Sequence, residues 1–424
     1  MKRRALYCLI LVSSLLGRLA AAEETMTLKQ CFEAALTYSE NVAISREEIN
    51  IAKARYIQAL GEVLPKINLE VSELLQDPTD NSANTNNDVG STFTRLSRPE
   101  VRVNFTQNIF RGLQEFQAIK ISKLDRKRKE LLLKDAERLL FQDVAVAFLT
   151  VALTEMDIRT SEKIIGVSRS QVEDIKKQVD LGKSRQSDGT AQLADLALLE
   201  ADLEKQKGDR RIAYEMLSFL TGRAPQPQIS VKNPMEQANQ PLEFYTAAAE
   251  NRVDVQASRD ASEIAKRNIK VQEGDLLPKA DVSANVYPVR VGFQAGIDWD
   301  TEFRMTVPLF NGVTIGNIKE AKSLFKQSQF EAEERRRIAI HETKQNYEAF
   351  LSSRAQLTKY RRASDISAKS YQQQSSDFRL GLLDNFDVLQ SQRTWFTALR
   401  QRDLAEAQLW IDWFRLLSSA GVMP

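Results

Sequence analysis

Few residues in this chain could do chemistry, and most of those are carboxylates. His341 is the only histidine, which excludes metal sites built from several histidines and most nucleophilic triads that use histidine. Asp384 and Asp387 form an acidic pair that could in principle transfer protons, and Asp188 stands in a similar setting in the first half of the chain. No glycine-rich phosphate loop and no GxSxG pattern accompanies these residues. We therefore predict no enzymatic activity, no cofactor and no metal.

The aspartates have two other interpretations. Asp188 and Asp387 each follow a leucine-glycine turn, Leu181-Gly182 or Leu380-Gly381, at a place where a helix is expected to begin. A carboxylate there caps the helix or stabilises its positive N-terminal end. A ring of such carboxylates at a pore would instead attract cations. The residues alone leave both interpretations open.

The N-terminus is typical of a secretory signal peptide, predicted over residues 1–22. Three basic residues, Lys2 to Arg4, precede a short apolar run that ends in Ala20-Ala21-Ala22. Cleavage there would leave Cys31 as the only cysteine, so we expect no disulfide within the chain. An exported protein is thus predicted.

Charge and hydropathy exclude further classes. The formal net charge is +2, from 59 basic and 57 acidic residues, and no basic block suggests nucleic acid as a partner. No long apolar run follows the signal peptide, so a transmembrane helix is not expected. Contact with a membrane would then have to involve strands.

Two very long helices are predicted from the distribution of proline, which is absent between Pro99 and Pro225 and again between Pro308 and Pro424. Proline is costly inside a helix, and these windows are rich in helix-forming residues. Residues 113–179 would make a helix of roughly 100 Å at 1.5 Å per residue. An apolar stripe runs along it at helical spacing: Leu132, Ala136, Leu139, Val144, Ala147 and Val151.

The chain also repeats itself. Leu64-Pro65-Lys66 recurs as Leu277-Pro278-Lys279, and Leu181-Gly182 with Asp188 recurs as Leu380-Gly381 with Asp387. We predict repeat 1 at 23–223, a connecting segment at 224–240 and repeat 2 at 241–424. The register changes once, at the polar stretch Gln76–Arg98, which is expected to be a surface loop.

Alternating apolar and polar residues predict two strands in each repeat, at about 66–75, 100–110, 279–288 and 302–310. Ile67, Leu69 and Val71, for example, alternate with polar neighbours. A half-buried soluble sheet would show this pattern, and so would tilted transmembrane strands around a polar lumen. Because an open sheet leaves unpaired edges in lipid, four strands would need three protomers to close a 12-stranded barrel.

Several motifs in this order resemble the TolC family of outer-membrane efflux proteins, over about residues 27–421. They are Thr27-Leu28-Lys29-Gln30, Leu64-Pro65, Val307-Pro308-Leu309-Phe310-Asn311-Gly312, and the turn from Phe378-Arg379-Leu380-Gly381 to Asp387-Val388-Leu389. The resemblance implies a mainly α, α+β membrane protein. Long helical hairpins would form a periplasmic α-barrel beneath four transmembrane strands per protomer.

The resemblance further implies the function and partners. The expected protein is a homotrimeric channel in outer-membrane lipid that extends into the periplasm. It would be a passive conduit for an efflux pump or a type I secretion system. A periplasmic adaptor would connect it to an inner-membrane transporter that supplies the energy. The rival interpretation is a periplasmic coiled-coil adaptor or scaffold protein.

By position in the family, the entrance of the pore would lie at the helix turns. The candidate residues there are Gly182, Asp188, Phe378, Gly381, Asp384 and Asp387. This sequence departs from the family's pattern at three places. Phe378 stands where a gating tyrosine is expected, Leu383 where an arginine is expected, and Gln390 where a second acidic residue is expected. These differences put the family's gate contacts in doubt.

Overall fold

The structure is a computed structural model that describes residues 25–75, 97–223, 226–227, 240–291 and 295–422. The predicted signal peptide lies outside these residues. So do all but the last two residues of the predicted Gln76–Arg98 loop and almost all of the predicted connecting segment at 224–240.

The described chain is mainly helical, and its two halves have the same order of main elements. The first half contains α1 (Leu28–Tyr38), α2 (Glu40–Gly61), β2 (Lys66–Leu75), β3 (Ser97–Arg111), α3 (Gln114–Asp180) and α4 (Gln186–Thr221). The second half contains α5 (Leu242–Glu250), α6 (Val253–Gly274), β5 (Lys279–Arg290), β6 (Trp299–Thr306), α7 (Gly312–Arg379) and α8 (Asn385–Ala420). Two short strands, β1 (Thr25–Met26) and β4 (Gln226–Pro227), pair in parallel.

The predicted long helices and strands are present, and the bounds of two strands, β3 and β6, differ from the prediction by up to four residues. The fourth strand was predicted at about 302–310, but β6 begins at Trp299 and ends at Thr306. Pro308 follows closely and has no N–H to donate to a strand ladder, which accounts for the early end. The strand predicted at about 100–110 extends from Ser97 to Arg111.

The four longer strands form one antiparallel sheet in the order β2-β3-β5-β6. Its register places apolar residues opposite one another: Leu69 faces Val103, and Val282 faces Phe303. Leu69 and Phe303 are 67% and 62% exposed. One face of this sheet is therefore apolar and uncovered by the described chain.

The opposite face of the sheet is polar and internally paired. Asn104 donates to Asn285 at 2.8 Å, and Asn285 donates to Asp300 at 2.7 Å. Tyr287 donates its hydroxyl hydrogen to the same Asp300 carboxylate at 2.7 Å. These bonds connect three adjacent strands, so the polar side chains of this face satisfy one another across the sheet.

The described chain divides into two compact units. One contains the described residues up to 43 together with 134–252 and 336–422, and the other contains 44–133 and 253–335. Each unit takes segments from both halves of the sequence. The repeat boundaries predicted near residues 223 and 241 describe the order of elements, and as a division into domains they stay a prediction.

Within the first unit, α8 is the most continuously buried helix. Its side chains join a core whose largest buried members include Phe148, Leu217, Phe350 and Leu409. Phe350 and Trp413 pack with ring centroids 5.3 Å apart. Cys31 is completely buried in the same core, and burial raises the pKa of its thiol to about 11. It is a free, protonated packing residue, as the absence of a disulfide partner predicts.

Two buried arginines bind the C-terminal end of α8. Arg138 donates to the carbonyl of Ser418 at 3.0 Å, and Arg252 donates to the carbonyl of Ser419 at 2.9 Å. The last carbonyls of a helix have no partner within the helix and carry partial negative charge, so cationic donors stabilise them. The predicted apolar stripe placed Leu139 in the interior. In the structure Leu139 is 46% exposed, and its neighbour Arg138 takes the interior position instead.

One helix among the described residues, α3, is long and apolar enough over part of its length to cross a membrane by composition alone. Half of that apolar window is buried inside the protein. The core helix of a soluble protein meets the same criterion, so the finding is weak evidence for a membrane-spanning helix.

Where β3 joins α3, the chain passes very close to the end of α6. Gly112 has φ +65°, and a Cβ built on it would lie 2.1 Å from the carbonyl oxygen of Gly274. A side chain would therefore meet both an unfavourable backbone conformation and a backbone clash.

We predict that Gly112→Ala lowers the free energy of unfolding by at least about 2 kcal/mol, from left-handed strain and overpacking. Thermal unfolding of the purified full-length protein, followed by circular dichroism, would measure the change. Gly61→Ala is the matched control, since nothing lies within 4 Å of a Cβ at that position. Equal stability of the two variants would contradict the close approach described here.

Candidate functional site

The two turns between the long helices have the same backbone geometry. Gly182 and Gly381 end their helices with φ of +71° and +76°. In each turn the glycine N–H donates to a carbonyl three residues back, at 2.9 Å, and the next N–H reaches a carbonyl five residues back, at 2.8 or 2.9 Å. This is a Schellman cap, which favours glycine because of the positive φ. Both glycines thus shape the turns.

Asp188 caps the start of α4. Its carboxylate accepts from the backbone N–H of Arg185 at 3.1 Å and from the hydroxyl of Ser184 at 2.9 Å. These contacts occupy one carboxylate oxygen and satisfy a backbone donor that the helix itself cannot satisfy. The capping interpretation of Asp188 therefore has direct geometric support.

Asp384 and Asp387 differ from Asp188 although they occupy the corresponding turn. Asp384 is the N-cap residue of α8, but its side chain makes no capping hydrogen bond. Asp387 lies in the first helical turn, and its backbone N–H donates to the carbonyl of Asp384 at 3.3 Å. Both residues are exposed. Asp188 is less exposed, and its capping contacts occupy one of its two carboxylate oxygens.

Phe378 does not project into solvent. It is buried with Ile175, Tyr371 and Val388 in a small apolar cluster close to the turns. Trp395 stacks on Tyr371 with centroids 5.1 Å apart, and burial raises the pKa of the Tyr371 phenol. The cluster joins α3, α7 and α8, so Phe378 holds the two hairpins together near their turns.

Sequence reasoning missed Ile175, Tyr371 and Trp395 as members of this cluster. Comparison of the two repeats could not identify these residues, because the cluster combines side chains from three helices and does not recur in both halves of the sequence. It also missed four apolar residues that remain exposed at the turns: Leu181, Leu380, Leu382 and Phe386 are 69%, 73%, 71% and 71% exposed. The recurrence of Leu181 as Leu380 in the second repeat is the sequence feature that could have indicated this exposed apolar surface.

Ion pairs connect the two hairpins farther from the turns. Arg393 on α8 forms a bidentate pair with Asp195 on α4. Arg400 forms a second bidentate pair with Asp157 on α3, at 3.0 and 3.1 Å. Bidentate arginine–carboxylate pairs fix orientation as well as distance. They set the spacing of α8 against the first hairpin.

No group of three or more metal-binding side chains occurs among the residues that the structure describes. The candidate residues at the turns include acidic, aromatic and glycine residues, but no histidine or cysteine. These residues therefore offer negative charge and apolar surface at the two turns.

Comparison with known proteins agrees with this arrangement. Residues 244–422 match the family described as outer membrane efflux protein. The chain is also similar to the alkaline protease secretion protein AprF of Pseudomonas aeruginosa, with 21% identity over 268 residues. That alignment covers 60% of this chain and 56% of AprF, so it spans little more than half of the relative.

Solved structures share the fold over nearly the full length. The outer membrane protein VceC of Vibrio cholerae aligns with a TM-score of 0.79 and 17% identity, over 93% of this chain and 96% of VceC. CusC, described in work on transmembrane channel formation, aligns with a TM-score of 0.80 and 17% identity, over 94% of this chain and 92% of CusC. At this identity the likeness shows the fold alone.

The resemblance predicted from the sequence is thus confirmed, and the matched proteins are membrane channels and secretion components, not enzymes. The chain contains an outer membrane efflux protein domain over residues 244–422 and has, over nearly its whole length, the fold of the TolC family of outer-membrane channels.

Proposed function

We propose that the chain is one protomer of a homotrimeric outer-membrane channel that serves as a passive conduit for efflux or secretion. The observation that carries this proposal is the four-stranded sheet, which has one exposed apolar face and leads directly into long helices. A soluble adaptor or scaffold has no use for such an uncovered face, because large exposed apolar patches are rare in soluble monomers.

The edges of the sheet support assembly from several copies. Within the described chain β2 and β6 each pair with a neighbour on one side only. Their free edges are antiparallel in sense, so β6 of one protomer can pair with β2 of the next. Three copies give a closed ring of twelve strands, with every edge paired as lipid requires. Cyclic head-to-tail contact of this kind closes without leaving a free end.

The two faces then have distinct environments. The apolar face with Leu69 and Phe303 meets lipid, and the polar face with Asn104, Asn285 and Asp300 lines an aqueous lumen. Such alternation is the sequence signature of transmembrane barrels. The channel lies in the outer membrane and its helices extend into the periplasm.

We predict that Leu69→Lys reduces the amount of trimer in the outer-membrane fraction, because lysine near the middle of the bilayer costs about 2–4 kcal/mol on a lipid-facing strand. Protein extracted from outer membranes is measured by its detergent-corrected mass, which equals three protomers for the unaltered chain. Asn68→Lys, on the next residue and the opposite face, is the matched control and leaves assembly unchanged.

Equal effects of the two lysines would contradict the assignment of the faces. A soluble periplasmic monomer from the unaltered chain would contradict the channel itself and favour the adaptor or scaffold interpretation.

The turns supply the periplasmic entrance in this proposal. Asp387 and Asp384 are exposed at the second turn of each protomer, so a trimer brings three copies of each together around the axis. Carboxylate rings at a constriction attract cations and repel anions. Asp188 contributes chiefly to the structure of the first turn, through its capping contacts.

We predict that Asp387→Asn lowers the cation selectivity of the channel. The reversal potential of reconstituted channels in a potassium chloride gradient moves toward zero, because three negative charges are removed without a change in side-chain size. Asp365→Asn, an exposed aspartate on α7 away from the turn, serves as the control and leaves the potential unchanged. An unaltered potential in Asp387→Asn removes this residue from the pore.

The apolar turn residues suit a docking partner. Leu181, Leu380, Leu382 and Phe386 are the exposed apolar residues of the two turns. Burying such side chains against a partner is favourable by about 25 cal/mol per Å². A periplasmic adaptor docks here in the proposed assembly and connects the channel to the inner-membrane transporter that supplies energy.

A further inference from the structure

Both long helices present a stripe of lysines just beyond the sheet. The residues of each stripe are three and four positions apart, so they share one face of their helix. All are exposed. The stripes are Lys120, Lys123 and Lys127 on α3, and Lys319, Lys322 and Lys326 on α7. The second stripe follows the first at the same offset that relates Asp188 to Asp387 in the internal repeat.

The exposed apolar surface at each junction between sheet and helix ends one turn before these lysines. Beyond the end of β3, Leu113 and Phe116 are 50% and 56% exposed. Beyond the end of β6, Val313 and Ile315 are 72% and 44% exposed. The first lysine of each stripe comes four residues after the last of these, which is about 6 Å along the helix. Each helix thus changes there from exposed apolar to exposed basic residues.

In the proposed channel the first lysines of both stripes lie at the depth of the lipid headgroups. The apolar face of the sheet meets the hydrocarbon core, and the headgroup region adds roughly 5–7 Å on each side of that core. Side chains of an α-helix lean toward its N-terminus, and both α3 and α7 begin at the sheet. Lysine side chains on these helices therefore lean back toward the membrane, where their charged ends can reach headgroups.

Five of the six lysines have no counter-ion within the described part of the chain. Lys127 pairs with Asp260 at 3.2 Å, whereas the other five form no ion pair with any described residue. The neighbouring Arg126 is neutralised, since it pairs with Glu130 at 3.0 Å. Like charges three or four positions apart repel one another and destabilise a helix. An anion bound along a stripe would remove that repulsion and supply the missing counter-charge.

We propose that the two lysine stripes bind the phosphate headgroups of anionic phospholipids in the periplasmic leaflet of the outer membrane. The lysines hold the phosphate, while Phe116 and Ile315 contact the adjoining acyl chains. Each protomer supplies both stripes, so the contacts recur around the trimer. Attraction between basic side chains and an anionic leaflet acts within about one Debye length of the surface. This inference rests on the proposed channel function, because only membrane insertion brings the end of the sheet to the headgroups.

The test compares two lipids on the detergent-purified full-length protein by native mass spectrometry. Phosphatidylglycerol is the anionic probe, and phosphatidylcholine with the same acyl chains is the zwitterionic reference. The unaltered trimer binds phosphatidylglycerol at least about tenfold more tightly, because each lysine near a headgroup contributes roughly fivefold in affinity at low salt. The preference falls as ammonium acetate is raised from about 0.1 M to about 1 M, where the Debye length is about 3 Å.

Substitutions locate the site. A fourfold variant with Lys120→Gln, Lys123→Gln, Lys319→Gln and Lys322→Gln loses the preference for phosphatidylglycerol, whereas Lys→Arg changes at the same four positions keep it. The matched control removes four exposed lysines of the same two helices far from the sheet and leaves the preference unchanged: Lys163→Gln, Lys176→Gln, Lys359→Gln and Lys369→Gln. Equal losses in the two glutamine variants overturn the proposal.

The outcomes separate the lipid site from the proposed function. Because the same spectra report the mass of the assembly, a monomer from the unaltered chain contradicts the channel. A trimer that binds both lipids equally overturns the lipid site alone. Displacement of phosphatidylglycerol by an equal concentration of glycerol 3-phosphate would indicate a site for free anions and overturn the proposal as well. So would a shifted reversal potential in the fourfold glutamine variant with its lipid preference intact, since the lysines would then face the pore.

Discussion

The burial of α8, the second helix of the second hairpin, in the core that it shares with the first hairpin is the constraint on which the rest of the first unit depends. This helix packs through its apolar side chains against the core around Phe148 and Phe350, and its bidentate arginines orient it against the first hairpin. Two further arginines, Arg138 and Arg252, bind its last carbonyls. Because α8 is held along its length and at its end, the turn that precedes it is held as well, and with it the position of Asp387.

The same packing explains why polar groups recur in the interior. Gln192 of α4 and Gln392 of α8 meet across the contact between the two hairpins, where Gln192 donates to the Gln392 carboxamide oxygen at 3.1 Å. One amide–amide bond leaves the other donor and acceptor free.

The sheet follows a different physical rule from the helices. Its polar face is internally hydrogen bonded, whereas its apolar face and its two edges have no partner within the described chain. A soluble domain would cover that face, because the hydrophobic effect opposes its exposure. In the proposed trimer, lipid would cover this face and neighbouring protomers would pair with the two edges, so one assembly would meet both conditions.

Local rules were sufficient to predict the elements from the sequence. Proline-free windows predicted two very long helices, and the one predicted at 113–179 agrees with α3 to within one residue at each end. Alternation predicted the four strands, and Leu181-Gly182 and Leu380-Gly381 predicted the turns. The main error came at Pro308, which ends β6 earlier than the alternation suggested. These predictions succeeded because helix formation, pleating and glycine turns depend on neighbours in the chain.

The sequence by itself determined the repeat, the elements and the family resemblance, and it placed Asp188 and Asp387 at helix starts. Only the tertiary structure decided that Asp188 caps its helix while Asp387 remains exposed, that Phe378 is buried, and that Arg138 takes an interior position beside exposed Leu139. The positions of Phe378 and Arg138 depend on residues far apart in the chain that meet only when the hairpins pack, whereas Asp188 finds its partners, Ser184 and Arg185, within its own turn. No local pattern encodes which of two similar side chains will find a partner across that interface.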